Sequence, residues 1–418
     1  MRILRQTFSS LAVRNYRLLF FGMLISSAGT WMQSVALGWL VLDLTGSGTA
    51  VGLITAAQFL PMLFLGAWGG LIADRFDKRR ILVMTQTAMG LSAGFLATVV
   101  LLDVVELWMV FASALALGFA TVIDNPARQS FISELVGPER VTNAIALNSA
   151  MFNASRMVGP AIAGVLILRW GTGICFAINA FSYIAVIIGV LMMRASELQR
   201  GRPVARARGQ VRAGLRYVWS TPDLRSTILL VAVVGTFTLN FQVILPVLAR
   251  FTFDRGPGTL GLLYSVMGAG SLVGALVAAG RNRPSRNVMI GGAFVLGVLM
   301  LGVAVAPNLA VATVLLALTG AATITFLSTA NALLQLSSDQ QMRGRVMALY
   351  AMVFLGSTPI GGPIVGWIGE QWSPRASFAV AGLAALVGAA MASTISVRAG
   401  RRSTGTVDDA VPSEVATV

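Results

Sequence analysis

The chain has 418 residues, 56% of them hydrophobic and 11% charged, with a mean hydropathy of +0.79. A soluble protein carries charge on roughly a quarter of its residues, so this is the composition of a polytopic membrane protein. Histidine is absent, and Lys78 and Cys175 are the lone lysine and cysteine, which excludes a histidine metal site, a Gly-Lys-Ser/Thr phosphate loop and an intrachain disulfide.

The first apolar run, 18–42, is too long for a signal-peptide core and lacks a small-x-small cleavage site, so it reads as a retained membrane helix. Comparable runs follow at 50–72, 81–102, 107–127, 143–168 and 174–193. A polar, arginine-rich stretch interrupts, and six more runs lie at 226–248, 259–280, 288–306, 309–335, 346–369 and 376–397. The reading is an all-α membrane protein of twelve transmembrane helices in two six-helix bundles, 1–193 and 226–397, joined by a linker, 194–225, and followed by a tail, 398–418. In the linker, Val211, Leu215, Val218 and Trp219 recur at helical spacing with Arg212 and Arg216 between them, the pattern of a short amphipathic helix on the membrane surface. The tail lacks periodicity and is expected to be disordered.

The net charge of +15 would suit a nucleic-acid partner if the bases shared one exposed face. Instead they alternate with the spans. The termini, the linker and the even-numbered loops hold most of them, from Arg14 and Arg17 through Arg75, Lys78, Arg79, Arg80, Arg128 and Arg140 to Arg343 and Arg345, whereas the opposite loops hold only Arg169, Arg250, Arg255 and Arg375. The positive-inside rule then predicts a multi-pass inner-membrane protein with both termini cytoplasmic, in contact with anionic lipid and not with nucleic acid.

The halves echo each other. Gly52-Leu53-Ile54 and the later Arg79-Arg80 block are matched in spacing by Gly261-Leu262-Leu263 and the bases from Arg281 to Arg286, and Gly159-Pro160 is matched approximately by Gly362-Pro363. Inverted or parallel repeats around a midplane site are the plan of many secondary transporters.

The stretch Gly70-Leu71-Ile72-Ala73-Asp74-Arg75-Phe76-Asp77-Lys78-Arg79-Arg80 resembles the loop between the second and third helices of major facilitator superfamily transporters. With Asp124-Asn125-Pro126-Ala127-Arg128-Gln129, Pro138-Glu139-Arg140 and Arg343-Gly344-Arg345, it resembles the subgroup of siderophore, macrolide and other drug exporters. The resemblance implies the major facilitator fold, no cofactor, a small-molecule substrate, protons as the coupling ion and a monomer. It also implies that Asp74 latches the cytoplasmic side, supported by Arg75, Lys78, Arg79 and Arg80, with Gly70 allowing close helix approach. Asp77 stands where the family pattern often has glycine, and a plain positive-inside stop signal is the competing reading of the whole loop.

Gly159-Pro160-Ala161-Ile162-Ala163-Gly164 resembles the fifth-helix motif of family exporters, with Ala163 and Ser155 in places where glycine is usual. A simple packing kink is the alternative. Arg156, midway along the fifth span, is a costly charge in lipid. It is open to three readings: an anionic substrate, a carboxylate such as Asp124, or backbone carbonyls. Uncharged polar candidates cluster in Ser26, Thr30 and Gln33 of the first span, Ser149 and Asn153 of the fifth, Thr236 and Asn240 of the seventh, and Thr325, Ser328 and Thr329 of the tenth. Asn179 and Tyr183 in the sixth depart from this distribution. No carboxylate lies at mid-membrane, so Asp43 and Asp124 are the coupling candidates. The expected function is secondary active export of an amphipathic drug or siderophore-like molecule by alternating access. An importer of the same fold and a non-transporting scaffold or sensor are the alternatives. An enzyme finds no paired carboxylates, histidine or activated nucleophile.

Overall fold

In the computed structural model the backbone is described for residues 8–199, 210–280 and 284–408, and the side chains of all of these except 67, 74, 210–212, 279 and 396–408. Twelve helices among the described residues are long and apolar enough to cross a membrane. They are α1 (Arg14–Thr45), α2 (Gly48–Arg75), α3 (Lys78–Leu101), α4 (Leu107–Val136), α5 (Val141–Trp170) and α6 (Thr172–Leu191), then α7 (Pro222–Thr252), α8 (Pro257–Ala279), α9 (Arg286–Ala304), α10 (Leu309–Leu336), α11 (Arg343–Gln371) and α12 (Pro374–Asp408). In hydrocarbon every backbone N–H and C=O must be satisfied within the chain, and an unbroken helix does so locally. Thr30, Ser34, Thr55, Thr236 and Thr329 return their hydroxyl protons to carbonyls one turn back, so these polar side chains cost the helices little.

Several boundaries move from their predicted places. α1 starts at Arg14 and α7 at Pro222, earlier than 18 and 226, because polar residues extend a helix beyond its apolar part. α4 runs to Val136, past Pro126 and the predicted end at 127. α12 continues to Asp408, so residues 398–408, expected to be disordered, have helical backbone, and 409–418 lie outside the described residues. The linker helix forms over Gln210–Ser220. It does not simply lie on lipid: Val218 is fully buried in the main core, and Tyr217 Oη accepts the Asp339 amide proton at 3.1 Å. Leu215 and Trp219 remain exposed, while Val211 and Arg212 have side chains outside the described residues.

Two spans are interrupted. In α7 the helix breaks over Thr238–Asn240, resumes over Phe241–Val247 and ends in a π-helical turn, Leu248–Thr252. In α11 it breaks at Ser357, between Arg343–Gly356 and Thr358–Gln371, next to Pro359, which has no amide proton to donate.

Helix pairing repeats with an offset of six. α1 packs on α5 and α6, α2 on α4, and α3 on α4 and α6; α7 packs on α11 and α12, α8 on α10, and α9 on α10 and α12. Two seams join the sets: α2 against α11 and α5 against α8. Both are built on glycine. A Cβ on Gly261 of α8 would stand 2.6 Å from the Pro160 carbonyl oxygen of α5 and 2.9 Å from Gly164 Cα, and one on Gly52 of α2 would stand 2.8 Å from Pro363 Cα of α11.

Candidate functional site

An even number of spans puts the described ends of the chain at one end of the bundle, here called proximal. At the opposite, distal end the polar groups of the first six helices meet those of the last six. The π turn that closes α7 carries Arg250, which forms an ion pair with Asp43 at the end of α1 and lies over the Trp39 ring at 5.5 Å. Glu370, at the end of α11, accepts from Ser47 Oγ at 2.5 Å and from the Thr49 amide at 2.9 Å. Ser47 is also the N-cap of α2, accepting from the Ala50 amide, so Glu370 extends the capping of that helix. Among the described residues, the polar contacts recorded between the two sets of six helices are these, all distal.

Arg156 lies half-way along α5, on one helical face with Ser149 and Asn153. The three sequence readings separate clearly. Among the described residues Asp124 pairs elsewhere, and no backbone carbonyl accepts from the Arg156 guanidinium. The guanidinium rests over the Trp31 ring of α1 at 5.5 Å, and its Nε is buried without a hydrogen-bond partner. Phe152 packs edge-on to Trp31 at 5.7 Å. On α8, Gly268 admits the Arg156 backbone: a Cβ there would stand 3.0 Å from the Arg156 carbonyl oxygen. Asn153 donates back to the Ser149 carbonyl at 2.9 Å.

Asp124 has its own partners. Buried in α4, it accepts from Thr85 Oγ1 at 2.8 Å and Gln86 Nε2 at 2.9 Å on α3, and Arg128 Nε approaches at 3.4 Å while also donating to Asn125. Gln33 of α1 accepts from Asn179 Nδ2 of α6 at 2.5 Å; Tyr183 Oη lies 3.4 Å from the same nitrogen and 3.3 Å from Thr30 Oγ1. Asn179 and Tyr183 are therefore the other half of a buried α1–α6 network, which explains polar residues in a span expected to be plain. Asn240 sits at the break in α7 with 2% exposure, donating to the Thr236 carbonyl at 2.6 Å, and Gly361 of α11 leaves room for it. Neither Gln33 nor Asn240 faces open space.

The Gly70–Arg80 stretch is helix, turn and helix. α2 ends at Arg75, and Asp77, in an extended conformation, caps α3 by accepting from the Arg79 and Arg80 amides at 3.0 and 3.2 Å. The aspartate that stands where the family pattern often has glycine is thus the N-cap of α3. Lys78 pairs with Glu134 at the end of α4, and Arg79 Nη2 donates to the Val190 carbonyl of α6 at 3.1 Å. Arg75 and Arg80 are exposed. The close approach recorded here is at Gly69, the neighbour of Gly70, against the Val122 backbone of α4. The Asp74 side chain, expected to be the latch, lies outside the described residues. In the second half Arg286, from the block that echoes Arg79-Arg80, pairs with Asp223.

A family model described as transmembrane secretion effector matches residues 5–416. The chain belongs to this family. It is a multi-pass membrane transporter of the major facilitator superfamily and not an enzyme. The secretion-effector chain is similar to the multidrug efflux pump Tap of Mycolicibacterium fortuitum, 27% identical over 86% of this chain and 90% of that one. It is 22% identical to the staphyloferrin A transporter of Staphylococcus aureus, again over 86% of this chain and 90% of the other. Among solved structures, a bacterial homologue of the lysosomal transporter Spinster, in an inward-facing occupied conformation, superposes with a TM-score of 0.72 at 14% identity, covering 92% of this chain and 97% of that one.

Within this chain, sequence reasoning missed Trp31, Arg250 and Glu370. Arg250 and Glu370 read as ordinary boundary residues, since their partners are 207 and 323 positions away. Trp31, by contrast, lies off the face of α1 that carries Thr30 and Gln33, and nothing in one helix announces an arginine on another.

Proposed function

We propose that this transporter exports an amphipathic small molecule, drug-like or siderophore-like, from the cell by alternating access, in exchange for protons. The proximal end is cytoplasmic, the protein works as a monomer in the inner membrane, and its surface bases hold anionic lipid. The observation that carries the reading is the distribution of contacts between the two sets of helices. Glycine seams at α2/α11 and α5/α8 let backbones slide as close-packed units, and among the described residues the polar clasps, Asp43–Arg250 and Ser47/Thr49–Glu370, all lie at the distal end. Such a form presents its interior to the cytoplasm. Opening those clasps while closing the proximal end is the rocking that moves a substrate outward.

In this reading Asp74 latches the proximal end, and Gly159, Pro160 and Gly164 shape α5 for contact with α1 and α8: a Cβ on Gly159 would meet the Ala28 carbonyl oxygen at 2.6 Å. Asp43 and Asp124 are the carboxylates through which protons act. The choice of export over import follows the family description and the efflux function in the name of the Tap relative.

A strain lacking the transporter, compared with one expressing it and one expressing Asp74→Asn, tests this against a drug panel and secreted iron chelators. Only the strain with the wild-type protein is expected to lower cell content of at least one compound. Equal content of every compound in all three strains would defeat the export reading. Uptake into inverted vesicles should cease when the pH gradient is collapsed, and uptake that ignores the gradient would remove protons from the mechanism.

A further inference from the structure

Arg156 is the charge that the scheme above does not use. It stands sixteenth in the thirty residues of Val141–Trp170, about 22 Å from either end of α5 at 1.5 Å per residue. A cation at that depth persists only when it faces water, an anion or a helix partner. The described carboxylates nearest the membrane interior are committed elsewhere: Asp124 to Thr85, Gln86 and Arg128, and Asp43 to Arg250.

Guanidinium offers five N–H donors in a planar fork, and none of them has a hydrogen-bond acceptor among the described residues, with Nε buried. Its one recorded contact is the Trp31 face. Tyr264 of α8 directs its hydroxyl proton to the Phe241 carbonyl at 3.1 Å and makes no hydrogen bond with Arg156. A cation–π contact is weaker than the cost of an unpaired cation in hydrocarbon, so the pairing within the protein is incomplete. Beside the fork stands an aromatic wall, with Trp31 partly exposed and Phe152 44% exposed.

We infer that Arg156, Trp31 and Phe152 form an anion-selective subsite, and that the transported molecule is an organic anion with a carboxylate for the guanidinium and a flat apolar body for the rings. This deepens the export reading and rests on it for its physiological meaning. A planar carboxylate matches the fork with two parallel hydrogen bonds. A cationic amphipath finds no carboxylate at this depth and meets Arg156 as a like charge. The subsite therefore selects by charge sign, which an apolar cavity cannot do.

The test is direct binding to the full-length protein in lipid nanodiscs, read by fluorescence anisotropy with two xanthene dyes of similar shape: carboxyfluorescein, an anion, and rhodamine 6G, a cation. Wild-type protein is expected to bind carboxyfluorescein at least about ten-fold more tightly than rhodamine 6G, a difference of about 1.4 kcal/mol. Arg156→Gln should abolish that preference by weakening the anionic dye alone, and Arg156→Lys should restore part of it, because a point charge replaces the fork. Wild-type protein that binds both dyes equally, prefers the cation or binds neither would overturn the subsite, as would an Arg156→Gln protein that keeps the preference. The wild-type comparison stands even if a variant fails to accumulate. Export of the cationic dye by cells together with such a binding result would leave the export reading intact. Anion-selective binding with no export of either dye would leave the subsite and count against export.

Discussion

Replacing Asp43 with asparagine and Glu370 with glutamine removes two charges from the distal clasps while keeping side-chain size and hydrogen-bonding oxygens. The Asp43 and Arg250 side chains are 47% and 34% exposed, so solvent screens the pair and its loss costs about 0.2–1 kcal/mol. Glutamine at 370 still accepts from Ser47 and Thr49, but a neutral acceptor is roughly half as strong as a charged one; over two exposed bonds that is a further ~0.5–1 kcal/mol. These contacts exist only while the distal end is closed, so the whole sum of about 1–2 kcal/mol appears in the closed-to-open ratio, lowering it roughly 5–30-fold. Spin labels at Val104 and Val305, which are 55% and 74% exposed in two distal loops, would report the distance across the distal face by pulsed electron resonance in nanodiscs. Cys175 is fully buried and leaves little background. The double variant should populate a longer distance than wild type. Asp223→Asn, which breaks the proximal pair with Arg286, should leave the distal distance alone. A distribution identical in wild type and double variant would refute the clasp argument, because a contact formed in one state only must shift the balance when weakened.

Asp124→Ala strands the Thr85 and Gln86 donors and leaves Arg128 with Asn125 alone; it should lower stability by about 2–3 kcal/mol, seen as a lower melting temperature in detergent, with Asp124→Asn losing less. Gly261→Val drives a branched side chain into the Pro160 carbonyl and Gly164. Overpacking of this kind costs about 1–3 kcal/mol, and here transport should fall further than protein level; normal transport at normal level would show that the α5/α8 seam need not stay close. Asp77→Ala removes the cap of α3 and should cost about 1 kcal/mol, with faster hydrogen exchange confined to the amides of its first turn, whereas Asp77→Asn should be close to wild type.

A membrane helix is legible in one dimension because its requirements are local. About 20 apolar residues cross the hydrocarbon, and each backbone bond closes within four positions. The twelve spans, the interruption between the sixth and seventh, and the exclusion of enzyme chemistry were accordingly readable from residue order. So was the anomaly of Arg156. Boundaries drifted where polar residues extend helices past the grease, as in α4 and α12, since hydropathy marks only the buried part. Partners were not readable. Asp124 was as good a candidate for Arg156 as for Arg128, and the choice was made by the packing of α4 on α3, which brings Thr85 and Gln86 to the carboxylate.

The same holds for Gln33, a polar candidate whose partner Asn179 comes from α6, and for Asp43, a coupling candidate whose partner Arg250 is delivered by the π turn that ends α7. Composition and order determined what this protein is made of: a bundle of membrane helices with one cation half-way along its fifth span. Only the tertiary structure decided which charges are spent on each other and that Arg156 finds no hydrogen-bond partner among the described residues, because hydrogen bonds and ion pairs form between side chains within a few ångströms, and helices two hundred residues apart reach that distance only through packing.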